Sequence, residues 1–178
     1  MARQVVLLRG INLGPNRRVP MPALREALTK AGFADVETYV QSGNIVLQTD
    51  LTSEKLQKRT ERVIKKTFEL DVPVITRTRD ELAQVVKQNP LDGVATNPKR
   101  YQVSFLSAPL QAAQIEQIEA LVAPLERFHA IGRELYAWHP EGVSRSKLWN
   151  KLAGTSLGVT ATARNWTTVT TLLELADR

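Results

Sequence analysis

The N-terminal half of the chain switches repeatedly between two hydrophobic periods, and the switches mark its elements. Residues 3–9 close on the apolar run Val5 to Leu8, which reads as a buried strand. Gly10 to Pro20 keeps no period and reads as a loop. Pro20 and Pro22 bracket a helix start, because proline is tolerated in the first turn. Leu24, Leu28 and Ala31 follow at helical spacing, and Gly32 ends the helix just past its last turn. Asp35 to Gln41 and Asn44 to Thr49 are β-rich runs around the turn Ser42-Gly43. Thr52 or Ser53 caps a long helix with Leu56, Val63, Ile64 and Phe68 inward. Its outer face pairs Glu54 with Lys58 and Glu61 with Lys65. Val72 to Arg77 is a fourth strand, and β-α-β-β-α-β is the order of a ferredoxin-like sandwich.

The capping box Thr78-x-x-Glu81 opens another helix with Leu82, Val85 and Val86 inward. Pro90 to Pro98 is a connection, which sets a ferredoxin-like subdomain at 1–89 and a second, smaller α+β subdomain at 90–178. In the latter, Tyr101 to Leu106 is a strand, and Pro109 to Val122 a helix carrying Ile115, Ile118 and Leu121 on one face before Pro124. Arg127 to Ile131 and Glu134 to Trp138 form a hairpin around Gly132. Two helices, Arg145 to Ala153 and Arg164 to Ala176, are expected to finish the chain. This second half echoes β-α-β-β-α without a last strand, and shows no residue-level repeat. The expected class is therefore α+β.

Direction brings two polar motifs together. In a β-α-β-β-α-β sandwich, the loop after strand one and the turn between strands two and three lie at the same end of the sheet. The first motif holds Arg9, Gly10, Asn12 and Gly14; the second holds Gln41, Ser42, Gly43 and Asn44. Arg9 offers a planar fork of donors for phosphate or carboxylate. Asn12, Gln41 and Asn44 bring amides that donate and accept, and the glycines let backbone approach a ligand. The helix start near Met21 adds its own amides. No carboxylate or histidine stands among these residues as a general base. Read singly, each motif is also ordinary turn chemistry, and Arg9 has Glu37 as a candidate ion-pair partner.

Charge sharpens this picture. The net charge of +6 is uneven: before Ala31 stand Arg3, Arg9, Arg17, Arg18, Arg25 and Lys30 against Glu26 alone. An anionic partner at that end is the expectation, either a small molecule or nucleic acid, with a solvated basic face as the plain alternative. Without cysteine there is no thiolate nucleophile, disulfide or zinc ribbon, and a count of two histidines argues against a His-based metal site. No cofactor or metal is expected. No stretch approaches the roughly 20 apolar residues that span a bilayer, and no signal-peptide core leads the chain, so a cytoplasmic location without a membrane partner is expected.

Other motifs carry less. Ser144-x-x-Lys147 matches an acylating-serine pattern, but the accompanying K-T-G is missing. The Gly10 loop is neither a Walker A motif nor G-x-G-x-x-G. His129 reads as a sheet residue, and His139, preceding Pro140, as an exposed strand end. Trp138 and Trp149 read as packing. Trp166 leads the stripe Val169, Leu172, Leu173 and Ala176, whereas Arg164 and Asn165 beside it line a site or cap the helix.

The segments LLRGINLGPNRRVPMPALREAL, TYVQSGNIVL, LYAWHPEGVSRSKL and TATARNWTTVTTLLELA, in this order, resemble the bacterial family DUF1697, of unknown function. The resemblance runs from the first strand to the last helix. It implies two α+β parts, the first ferredoxin-like, and no established activity, cofactor or substrate. The matching positions are Arg9, Gly10, Asn12, Gly14, Gln41, Ser42, Gly43, Asn44, Ser146, Lys147, Arg164, Asn165, Trp166 and Thr168. Family sequences usually carry threonine where Ala163 stands and asparagine where Thr167 stands.

Three functions remain open at this stage. The leading one is binding of an anionic ligand, a nucleotide-like metabolite or nucleic acid, at the Gly10 and Ser42-Gly43 edge. Tyr39 is the only aromatic on the first sheet, which argues against an RNA-recognition domain. The second is a metal-independent enzyme in which Arg9, Lys147 or Arg164 stabilises an oxyanion or phosphate, with Ser42 as candidate nucleophile. The third is a structural or interaction role through a free sheet edge.

Overall fold

A computed structural model describes residues 1–178. The first unit comprises Met1–Gln84 and Thr171–Arg178, the second Val85–Thr170. The chain runs β1 (Ala2–Leu8), α1 (Met21–Lys30), β2 (Ala34–Tyr39), β3 (Asn44–Thr49), α2 (Ser53–Phe68) and β4 (Val74–Thr78), followed by α3 (Arg79–Gln88). The first sheet has the order β2-β3-β1-β4 with every neighbour antiparallel, as a ferredoxin-like sandwich requires. Its core joins Val6, Leu8, Ile45 and Leu47 of the sheet to Leu24 and Leu28 of α1 and Leu56 and Ile64 of α2.

Local chemistry explains the ends of these elements. Thr52 caps α2, its Oγ1 accepting from the Lys55 amide, and Thr78 with Glu81 forms the reciprocal box of α3. Glu54 pairs with Lys58 at 2.8 Å as its spacing predicts. Glu61 instead accepts from the Val74 amide at 3.2 Å, which starts β4 after Pro73 rather than at Val72, and Lys65 pairs with Asp71. The chain's last residues are tied into this unit by Arg3, which donates to Leu175 O and Glu37, and by Arg79–Asp177 and Arg178–Glu37 ion pairs.

The second unit holds β5 (Tyr101–Leu106), α4 (Ala112–Glu119), β6 (Arg127–Ile131), β7 (Glu134–Trp138), α5 (Lys147–Ala153) and β8 (Ala161–Asn165), and ends within α6 (Trp166–Ala176), whose residues from Thr171 onward belong to the first unit. Its sheet order, β6-β7-β5-β8, repeats that of the first. The last strand, absent from the sequence expectation, is therefore present. Ala161 to Asn165 pairs antiparallel along β5, and the final helix starts at Trp166, not Arg164. α4 is also shorter than Pro109 to Val122, because the Gln111–Gln114 capping box sets its start.

The repeat extends to single hydrogen bonds. Leu8 N donates to Gly43 O at 2.9 Å and Leu106 N to Arg133 O at 2.9 Å. Arg9 N donates to Pro73 O and Ser107 N to Thr160 O. Val5 stands opposite Arg77 in one sheet and Val103 opposite Arg164 in the other. Both arginines are buried, and each donates to the carbonyl of its preceding residue. The scaffold is thus a ferredoxin-like unit used twice.

Candidate functional site

The Gly10 loop and the Ser42-Gly43 turn do meet at one end of the first sheet, and Asn12 joins them. Its Nδ2 donates to Val19 O at 2.9 Å and to Gln41 O at 2.7 Å, while its Oδ1 accepts from the Val19 amide at 2.8 Å. Asn12 holds a φ of 54°, which asparagine tolerates better than most residues. Arg17, at a φ of 58°, donates Nε to Gly10 O and Nη2 to Asp71 O. Its guanidinium therefore ties the loop rather than facing a ligand.

The turn is built as tightly. Asn44 is fully buried, and its Nδ2 donates to Tyr39 O and to Ser42 Oγ, both at 2.9 Å. Gly43 has a φ of +85°, and a Cβ there would lie 2.7 Å from Leu8 Cβ and 2.9 Å from Ile11 Cδ1. Only glycine lets the turn pass so close to the end of β1. Gln41 and Ser42 are exposed, as are Gly14 and Arg18. Glu37 is taken by Arg3 and Arg178 rather than Arg9. Replacing Asn12 by alanine removes three hydrogen bonds and should lower stability by about 2 kcal/mol. A chemical-denaturation midpoint unchanged from the wild type would contradict the clamp.

The four candidate residues of the second unit lie on separate tasks. Lys147 is exposed in the first turn of α5. Arg164 is buried, donates to Thr162 Oγ1 at 2.7 Å, and is drawn down to about 10 by desolvation, so it stays cationic at neutral pH. Asn165 Oδ1 accepts from the Thr168 amide at 2.9 Å and caps α6. Trp166 stacks on Tyr101, ring centroids 4.8 Å apart, and the Tyr101 hydroxyl donates to Asn89.

A second polar centre was not visible in the sequence. His139, expected to be exposed, is fully buried, and its Nδ1 lies 2.6 Å from Glu126 Oε2. Ser146 Oγ donates to the same oxygen at 2.6 Å while accepting from the Trp149 amide as the cap of α5. The Ala123 amide donates to Glu126 Oε1 at 3.1 Å. Burial alone would raise the Glu126 carboxyl, but the hydrogen bonds from Ser146, His139 and Ala123 outweigh it and hold the group below its ordinary value. Serine, histidine and glutamate meet, yet both donors converge on one carboxylate oxygen. The imidazole does not stand between hydroxyl and acid, as a base for a serine nucleophile must. Geometrically this is a clamp on the segment between β7 and α5.

The fold is a duplicated ferredoxin-like scaffold with a polar loop elaborated on one copy. The family model described as a protein of unknown function, DUF1697, matches residues 1–136, and the chain belongs to that family. The chain is also similar in fold to the conserved bacterial protein SP0830 from Streptococcus pneumoniae. That match has a TM-score of 0.79 at 22% identity and covers 98% of each chain. No curated relative matches the chain. No helix is long and apolar enough to cross a membrane.

Proposed function

We propose that the end of the first sheet formed by the Gly10 loop and the Ser42-Gly43 turn binds an anionic ligand, a nucleotide-like metabolite or nucleic acid. The observation that carries this reading is an asymmetry between two copies of one scaffold. The connection from β5 to α4 is Ser107–Gln111, five residues; that from β1 to α1 is Arg9–Pro20, twelve. Connections between elements typically take about 2–6 residues, and ordered loops of a dozen or more are usually functional. Neither copy needs the longer loop to close its sheet.

The loop's chemistry supports an anion. α1 opens on Pro20 with no side-chain cap and no acidic residue in its first turn, which leaves its positive end to a ligand. Arg18 is exposed beside it with no acidic partner, and Arg25 extends the basic face one turn further. Asn12 and Arg17 fix the loop's shape before any ligand arrives, which reduces the ordering entropy of binding.

Isothermal titration with pyrophosphate and with a short single-stranded oligonucleotide tests the reading. Saturable binding of one probe is expected, weakened about tenfold or more in Arg18→Glu while the melting temperature stays put, because an exposed unpaired arginine contributes little to stability. A steep fall of oligonucleotide affinity with salt would select nucleic acid. Binding of neither probe, or equal binding by the variant, would overturn the assignment.

A further inference from the structure

We infer that the cleft between the end of α4 and the loop leading into α5, in the second unit, is a binding site for a small organic carboxylate with an apolar body. The cleft has a volume of about 710 Å³, within the roughly 300–1,000 Å³ of small-molecule sites. It is separate from the Gly10 loop and independent of the function proposed there.

Its two walls differ in chemistry. One is the segment after α4, where Leu121, Val122 and Leu125 line the cleft, and Leu125 is 60% exposed. A large apolar side chain held so open beside a concavity gains from a partner that covers it. The other wall is the loop Pro140 to Lys147, from which Arg145 and Lys147 both line the cleft. Each is exposed, and neither has an ion-pair partner.

The buried cluster builds this wall. Glu126 is itself a lining residue, and its carboxylate receives Ser146 Oγ and His139 Nδ1 at 2.6 Å and the Ala123 amide at 3.1 Å. Two of these bonds fasten His139 and Ser146, at either end of that loop, to Glu126 of the opposite wall, and the Ala123 amide holds the Glu126 carboxylate from its own side. The turn is closed further by Gly142 N donating to His139 O and Ser146 N to Val143 O. Glu126 is thus satisfied within the protein and turns no unpaired charge on a ligand. Against the two open cations stands one open carboxylate, Glu141. The mouth carries a net positive charge over an apolar wall, which complements an amphipathic anion and disfavours an amphipathic cation.

3-Phenylpropionate is the probe, with 3-phenylpropylamine, 3-phenylpropanol and acetate as comparators, read by amide chemical shifts of the full chain. 3-Phenylpropionate is expected to move, saturably, the amides of residues 120–126 and 140–147, while the amine, the alcohol and acetate bind at least tenfold more weakly. The double variant Arg145→Glu, Lys147→Glu should lose at least tenfold in affinity with an unchanged melting temperature, since both side chains are exposed and unpaired. Leu125→Ser should weaken the same probe, separating the apolar contribution from the charge. No shifts in these segments, equal binding of the amine or alcohol, or full affinity in the double variant would each overturn the assignment.

Discussion

Gly43→Ala is expected to lower the melting temperature by about 6–12 °C, the shift for about 3 kcal/mol in a chain of this size. Two effects add. The left-handed backbone at a φ of +85° disfavours any side chain by roughly 1–2 kcal/mol. The new methyl would also overlap Leu8 Cβ at 2.7 Å and Ile11 Cδ1 at 2.9 Å, and relieving such overpacking costs about 1–3 kcal/mol. Leu8 ends β1 and its amide donates to Gly43 O, so it cannot withdraw without breaking the sheet's end. Gly10→Ala separates the two effects. Its φ is also positive, +68°, but nothing lies within 4 Å of the added methyl. It should lower the melting temperature by only about 2–4 °C, the shift for roughly 1 kcal/mol. Circular-dichroism melts of both variants decide the matter. Equal shifts would mean that backbone strain alone demands Gly43, and that the close approach of turn and strand is not the constraint.

The consequence reaches the proposed site. Gly43 is the residue that lets the turn seat against β1, and Asn12 then bridges to Gln41 O across the same junction. A relaxed turn would move Gln41 and Ser42 away from the Gly10 loop. Binding at this end should therefore fall with the packing at Gly43, although its backbone is covered and Gln41 and Ser42 are the exposed part of the turn.

How much of this was legible in the sequence follows from how local each cause is. The first unit's topology could be read because its strands, helices and turns announce themselves within short windows, and the expected juxtaposition of Asn12 with the Ser42 turn followed from strand direction alone. β8 could not be read the same way. Its five residues, Ala-Thr-Ala-Arg-Asn, hold one β-branched side chain, and the helical stripe of Val169, Leu172 and Ala176 invites extension backwards through Arg164. Pairing along β5, distant in sequence, decides the strand. Without β8 the second half only echoes the first as β-α-β-β-α; with it the sheet order repeats in full, the strongest organising feature of the chain. The burial of His139 is illegible in the sequence for a related reason. A histidine before proline at a strand end looks exposed, and only the return of the chain through Ser146, with Glu126 arriving from the other side, buries it. Glu126 sits in a connection beside Pro124 and Leu125 with no motif to mark it. In the S-x-x-K match the pattern serine is Ser144, but it is the neighbouring Ser146 whose hydroxyl caps α5 and anchors to Glu126.

Glu126→Ala should prove the most destabilising single change in the second unit. It strips the acceptor from His139, Ser146 and the Ala123 amide at once and leaves polar groups buried without partners. Each buried donor left without its acceptor costs about 1–3 kcal/mol, so the loss should come to about 3–5 kcal/mol, a fall of about 6–20 °C in melting temperature. Acid should reproduce part of this loss in the native protein. The Glu126 carboxyl is held below its ordinary value of 4.5 by the hydrogen bonds it accepts. A carboxyl depressed on folding stabilises the folded state fully above its unfolded value, and that contribution disappears as pH falls through the lower, folded value. The gap in melting temperature between wild type and Glu126→Gln is accordingly expected to be widest near pH 7 and to narrow progressively below about pH 4.5, because the amide has no proton to gain in that range. Melts of both proteins from pH 7 to pH 3 supply the comparison. A gap independent of pH would mean that glutamine fails by shape rather than charge, and that the ionised carboxylate is not what holds His139 and Ser146 in place.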